Sequence, residues 1–331
     1  MKAITLNAYG GPEALRLADL PDPKVAPGEV LIRVKAAGVN PVDRKLAEGL
    51  LDAVMETHFP LVPGWDVAGV VERVGFDVEE FAPGDEVSGY IRKDTVQFGA
   101  YAELVSAHVR MVARKPAALS WEQAAGVPLA GLTAYQAIKR VGVRAGETVL
   151  VHSAAGGVGS FGVQIAVALG ARVIGTAAAR NYDFVRKPGA EPVTYGPGLV
   201  DRVARLAPGG IDAALDFVGA DAVDTSLRLL GRPDRLAPIA APEAAEQGGH
   251  YVWVRPYSAD LAVLADLAGT GKLTVHVERV LPLAEAARAW RSNSGSFRTH
   301  TTDELIRGPG GPGAGPPGPR LACGRVRGPC G

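Results

Sequence analysis

The first third of the chain alternates apolar and polar positions in short runs. Glu29 to Val39 (EVLIRVKAAGV) and Asp66 to Val74 (DVAGVVERV) are rich in Val and Ile and broken by Gly. Pro83-Gly84-Asp85 reads as a turn before Glu86–Tyr90, and Gly99 to Val105 (GAYAELV) reads as a further short strand. Many short strands between Gly/Pro turns predict a small, strongly bent β-barrel. Near Ser120 the period lengthens. Ser120-Trp121-Glu122-Gln123 has a helix N-cap residue with Gln three positions on. Helical text then runs, with a break around Val127-Pro128-Leu129, to about Lys139.

From Glu147 strands and helices alternate. Predicted strands are 148–152, 172–175, 192–195, 212–217, 235–239 and 250–254. Predicted helices between them include 157–169 and 220–230. This alternation predicts an α/β fold with a doubly wound parallel sheet. Residues 260–269 then read as a helix, and 272–280 as a strand returning to the first domain.

The length of 331 residues fits two domains. The expected division is a barrel domain from 1–120 with 258–305, and a nucleotide-type domain from 121–257. From 308 to 331 the text is Gly, Pro and Arg with both cysteines and no acid. It can bury little apolar surface, so a disordered tail is expected over 306–331.

Lys+Arg and Asp+Glu balance at 35 each, and no dense basic run occurs, which argues against a nucleic-acid partner. No apolar run is long enough for a membrane span, and Met1–Leu6 lacks the apolar stretch of a signal peptide. A cytoplasmic location is expected. Cys323 and Cys330 are the only cysteines, so the body of the chain has no thiolate for a metal.

The sharpest motif is Thr148-Val149-Leu150-Val151-His152-Ser153-Ala154-Ala155-Gly156-Gly157-Val158-Gly159. An apolar strand meets a small-residue turn, and an apolar helix follows. On the dinucleotide fingerprint, Ala154, Gly156 and Gly159 take the three glycine positions, with Gly157 and Val158 in the same turn. Gly156 lets the backbone approach a pyrophosphate, Gly159 lets helix and strand pack closely, and free N–H groups at the helix start meet the negative charge. A tight turn without a ligand is the plainer alternative. The β-α units that follow favour the dinucleotide.

The second strand of an NAD site normally ends in an acid that holds the ribose 2′-OH. Here it ends Val173-Ile174-Gly175-Thr176-Ala177-Ala178-Ala179-Arg180. Thr176 and Ala177 leave room, and Arg180 can pair with a 2′-phosphate, so NADPH is the expected cofactor.

The order of parts resembles the medium-chain dehydrogenase/reductase superfamily, and the text is similar to its zinc-independent quinone oxidoreductase branch. The phrases that carry the likeness are Ala36–Asp43 (AAGVNPVD), Pro63–Gly69 (PGWDVAG), Gly84–Val87 (GDEV), Ala130–Tyr135 (AGLTAY) and the loop Ala154–Gly159. The resemblance implies a GroES-like β-barrel catalytic domain beside a Rossmann domain. It also implies that Asn40 lies beside the nicotinamide, and that Thr133 contacts the nicotinamide end. Tyr195 would stack near the adenine, and Phe217-Val218-Gly219 would line ribose and nicotinamide. Local roles are the alternatives. Asn40 can cap a turn before Pro41, Thr133 can bond its helix backbone, and Tyr195 can be a half-buried strand end.

The zinc alcohol dehydrogenases of this superfamily carry a metal-binding Cys and His where this chain has Asn40 and Trp65, and the lobe of four cysteines is absent. No metal site is expected. The function this implies is NADPH-dependent hydride transfer to a quinone or an α,β-unsaturated carbonyl compound. An enoyl reductase acting on an elaborate natural-product (polyketide) intermediate is a rival. A non-enzymatic NADPH- or RNA-binding relative is another. Tyr90, Trp253 and Tyr257 are candidate pocket walls, His58, His108 and His250 fit no catalytic pattern, and residues 250–254 are a candidate pairing edge for a homodimer.

The end of the chain departs from the family. After Trp290, Arg291–His300 (RSNSGSFRTH) and the Gly/Pro tail replace the usual closing strand of the Gly-Lys-Val-Val-Leu type. This predicts an altered reading frame in a GC-rich gene, a missing last strand and an unpaired sheet edge in the first domain.

Overall fold

The computed structural model describes residues 1–219, 221–292 and 320–324. Two sheets organise it. The first has seven strands around the long strand Glu29–Val39. One edge of that strand pairs antiparallel with Asp66–Val74, which continues to Glu86–Tyr90 and Val112–Arg114. Its other edge is shared. Glu29–Arg33 pair with Leu104–His108, and Ala36–Val39 pair in parallel with Arg320–Gly324. Register shifts lie at Leu31/Ile32 and Val34/Ala36. Extra residues of this kind bend a strand, which lets one strand serve two neighbours on one edge.

The closing strand corrects the expectation of an unpaired edge and of a tail disordered throughout 306–331. Arg320–Gly324 lies between Glu29–Val39 and Val277–Pro282, the latter pairing antiparallel with it. Leu321 is 1% exposed. Arg320 is exposed and Leu321 buried, the alternation a strand with one covered face requires, even inside Gly/Pro-rich text. The remaining parts of 293–331 lie outside the described residues.

The second sheet has five parallel strands in the spatial order Glu191–Val193, Arg172–Thr176, Thr148–Val151, Ala213–Asp216, Leu236–Pro238. The chain moves outward from Thr148–Val151 in one direction and then returns to build the other side. The crevice beyond the carboxyl ends of Thr148–Val151 and Ala213–Asp216 is therefore the topological switch point where such sheets take ligands.

The expected strand at 250–254 is an extended segment instead. His250 N–H donates to the Leu236 carbonyl and Val252 N–H to the Pro238 carbonyl, and the ladder then stops. The neighbour is only three residues long and ends at Pro238. Two other strands are displaced. Gly99–Val105 is irregular as far as Glu103, and the strand runs over Leu104–His108. The returning strand begins at Val277 rather than Lys272. Helix Ser258–Gly269 packs against helix Pro128–Val141 and against strand Val112–Arg114, and so ties the two sheets together.

Candidate active site

Between the sheets lies a cleft of about 620 Å³. The strand-to-helix turn after Thr148–Val151 forms one wall. Ser153 takes φ 54, and its N–H donates to Thr176 Oγ1 at 3.0 Å. The Ala154 N–H donates to the Thr176 carbonyl at 2.9 Å. The turn is thus pinned to the end of the second strand, which is where Thr176 acts, buried beneath the loop.

Helix Gly157–Ala168 starts without a side-chain cap. The N–H groups of its first turn have no partner within the helix, and their dipoles add up at that end. Gly156, Gly157, Val158 and Gly159 all line the cleft. A side chain on Gly156 would meet Ser153 Oγ at 2.7 Å and the Ser153 carbonyl at 3.1 Å, so the turn is tight at this glycine. A bare row of amides facing a cavity fits a dinucleotide diphosphate.

The second nucleotide-side wall follows Ala213–Asp216. The buried Asp216 carboxylate accepts the N–H groups of Val218 (2.8 Å) and Gly219 (3.0 Å) through Oδ1. This fixes Phe217 and Val218 at the cleft. Gly162 makes space for the Phe217 ring, since a Cβ there would stand 2.7 Å from Phe217 Cε2. Behind both loops, His152 is buried and its Nε2 is 2.9 Å from Ser226 Oγ. Burial lowers its pKa against the pull of Asp216, so the ring stays neutral.

The opposite wall comes from the first sheet. Asn40 precedes helix Pro41–Ala47, is half-buried and lines the cleft with Gly38, Trp65, Asp66 and Tyr90. Its Nδ2 donates to Asp66 Oδ2 at 2.9 Å, and its backbone N–H donates to Asp43 Oδ2 at 2.8 Å. Asp43 also accepts from the Tyr101 hydroxyl at 3.1 Å, and Trp290 Nε1 donates to that same oxygen of Tyr101 at 3.3 Å. Burial pushes the Asp43 carboxyl up to about 7, against the hydrogen bonds from Asn40, Tyr101 and Trp65. Burial also holds Asp66 well above the usual carboxylate range, against its bond from Asn40 and aided by the charge of Asp43. Neither acid stands out in the sequence by spacing. The available signal is an aspartate inside the apolar phrase Trp65-Asp66-Val67-Ala68.

Of the sequence-derived candidates, Asn40, Thr133, Gly156, Gly157, Val158, Gly159, Phe217 and Val218 meet at this cleft. Thr133 also makes the local bond, donating from Oγ1 to the Leu129 carbonyl at 2.7 Å. Ala154 is buried in the turn. Arg180 and Tyr195 are exposed at the ends of the second and third strands and do not line the cleft. Trp253 and Tyr90 line it, whereas Tyr257 does not. Among the described residues no group of three His, Cys, Asp or Glu side chains could hold a metal ion, and no helix is long and apolar enough to cross a membrane.

A bent β-domain facing the switch point of a parallel nucleotide-type sheet, with a cleft between them, defines a two-domain dehydrogenase/reductase. Residues 26–117 match the alcohol dehydrogenase GroES-like domain, and residues 157–273 match the family described as zinc-binding dehydrogenase. The chain is 39% identical over 198 residues to the NADPH-dependent alkenal/one oxidoreductase, chloroplastic, of Arabidopsis thaliana, covering 58% of this chain and 51% of that protein. It shares 30% identity and a TM-score of 0.79 with the quinone oxidoreductase from Coxiella burnetii, covering 98% and 99% of the two chains. Mycobacterial Rv1454c, solved in complex with NADPH, is 33% identical with a TM-score of 0.77, covering 89% and 96%. The chain therefore belongs to the medium-chain dehydrogenase/reductase superfamily, with quinone oxidoreductases among its relatives. It spans about half to three-fifths of the length of the first curated relatives it matches.

Proposed function

We propose that the protein is an NADPH-dependent reductase that transfers hydride to a quinone or an α,β-unsaturated carbonyl compound without zinc. The observation that carries this reading is the cleft itself. It joins uncapped helix amides on one wall to Asn40 on the other, with asparagine and tryptophan at the two family positions that otherwise hold metal ligands. An amide and an indole do not replace thiolate and imidazole, so polarisation of an alcohol by zinc finds no donor set here. The names of the similar reductases support the same activity.

When bound, NADPH supplies the hydride. The chain holds and orients. The amides of Gly157–Gly159 take the diphosphate, Arg180 takes the 2′-phosphate, and Tyr195 lies by the adenine. Thr133, Phe217 and Val218 flank the nicotinamide end. Trp65, Tyr90 and Trp253 give flat apolar walls that suit a planar substrate. Holding the electrophilic carbon against the reduced ring in a water-poor cleft is the main catalytic effect. The division is into 1–120 with 258–305, and 121–257, with most of the cofactor contacts in the latter and Trp253 reaching from it to the substrate side. A cytoplasmic homodimer, joined through 250–254, completes the reading.

The test is oxidation of NADPH and NADH at 340 nm against a benzoquinone, a naphthoquinone, a 2-alkenal and an enoyl thioester. NADPH should outperform NADH with the quinones or the alkenal. Superior NADH, or turnover only with an alcohol and oxidised cofactor, sinks the proposal. Light scattering of the purified chain decides the dimer.

A further inference from the structure

Reduction of an enone needs a proton as well as a hydride, and the residues assigned so far supply none. One buried acid stands at the wall of the cleft. Asp66 is 1% exposed to solvent yet lines the cavity. Gly38 beside it has no side chain, and a Cβ there would stand 2.6 Å from the Ala125 carbonyl, 2.7 Å from Asp66 Cβ and 3.0 Å from Asp66 Oδ2. The glycine leaves room both for that carbonyl and for the Asp66 side chain.

Each Asp66 oxygen accepts one N–H, Oδ1 from Leu129 at 2.8 Å and Oδ2 from Asn40 Nδ2 at 2.9 Å. A carboxyl group has more acceptor sites than these two donors occupy, so the protonated form keeps both bonds. Asp43 lies on the other side of Asn40 and accepts its backbone N–H. Two buried carboxyls thus bracket one asparagine. Burial and the charge of Asp43 both oppose ionisation of Asp66, which favours a proton on this acid.

We propose that Asp66 is the proton donor of the reduction, giving its carboxylic proton to the substrate anion that hydride transfer creates. The assignment rests on the reductase reading above. Hydride from NADPH forms a C–H bond at the enone β-carbon, and the C=C electron pair moves to give an enolate. The Asp66 O–H bond then breaks, its proton bonds to the α-carbon, and its electron pair stays on the carboxylate. The substrate gains two electrons, and NADPH loses them. Water admitted on product release reprotonates Asp66. With a quinone the proton goes to oxygen instead. Asp43 and Tyr90 interact electrostatically with Asp66, and Lys45 and His276 line the same cavity. Burial favours the acid form of Asp66, in keeping with this role.

The experiment uses the full chain and its Asp66→Asn and Asp66→Glu variants, with NADPH binding followed by fluorescence and turnover followed with a 2-alkenal. Asp66→Asn should bind NADPH as the wild type does and lose about 100-fold in kcat, with partial recovery in Asp66→Glu. The wild-type kcat should fall on the alkaline side, and that limb should vanish in Asp66→Asn. Alkenal turnover within about threefold of wild type, with the limb intact, overturns the proposal. If Asp66→Asn does not fold, the wild-type profile decides: an alkaline limb supports the donor, and a flat kcat to about pH 10 overturns it. A wild type that neither binds NADPH nor turns over overturns the reductase reading itself. Normal wild-type turnover with an unaffected Asp66→Asn overturns the proton donor alone.

Discussion

A side chain on Gly159 would run into the carbonyl oxygen of Ser153, because the end of strand Thr148–Val151 and the first turn of helix Gly157–Ala168 touch there. The obstacle is backbone and cannot rotate away. Gly159→Ala gains up to about 1 kcal/mol of helix propensity. Overpacking costs about 1–3 kcal/mol and shifts the amides that face the diphosphate. The expected result is lower stability in urea and at least tenfold weaker NADPH binding, on the order of 1.4 kcal/mol. Wild-type affinity in a stable Gly159→Ala protein would separate this turn from the cofactor.

Arg180 stands just past strand Arg172–Thr176, close to where an NAD site keeps its acid. A charge-assisted bond to a 2′-phosphate contributes about 1.5–3 kcal/mol. Arg180→Ala is expected to lower kcat/KM for NADPH by roughly 10- to 100-fold, from the same energy. NADH has no 2′-phosphate and should be almost unaffected. Parallel losses with both cofactors would assign Arg180 a purely structural role.

Local signals made much of this architecture readable. The turn Ala154–Gly159 announces itself because the strand, the glycines and the apolar helix are neighbours in sequence. The pairing of Asn40 with Asp66 spans 26 residues and depends on register across the first sheet. No spacing rule reveals it. The segment 250–254 has strand-like text, but its neighbour ends at Pro238, a fact of the partner rather than of the segment. The closing strand fails in the opposite sense. Leu321-Ala322-Cys323 is too short and too deeply set among Gly and Pro to read as a strand, and only its two partners define it.

That strand has a measurable weight. Leu321 is buried between strands Glu29–Val39 and Val277–Pro282, next to the segment that carries Gly38 and Val39 to the cleft. Leu321→Ala is expected to cost about 2–5 kcal/mol of unfolding free energy. Arg320 is exposed, and its ion pair with Glu122 is long at 3.6 Å. Arg320→Ala should cost at most about 1 kcal/mol. Equal, small effects in denaturant titrations would mean that this strand does not carry the edge.

Asp43 links the catalytic wall to the end of the described domain through Tyr101 and Trp290, and its charge state should appear in the pH dependence of stability. Burial raises its folded pKa from 3.8 to about 7. The folded chain therefore keeps a proton that the unfolded chain has released. The stabilisation from the neutral acid is complete below about pH 4, and it is lost as pH rises toward about 7. Above that pH the loss is constant. Asn at this position cannot ionise, so Asp43→Asn should gain stability relative to wild type across that window, on the order of 1.4 kcal/mol for each pH unit crossed. Changed hydrogen bonds to Asn40 and Tyr101 add an offset that does not vary with pH. Urea unfolding of both proteins at several pH values measures the difference. A gap between them that stays level from acid to neutral pH would show that Asp43 ionises in the folded protein as it does in water.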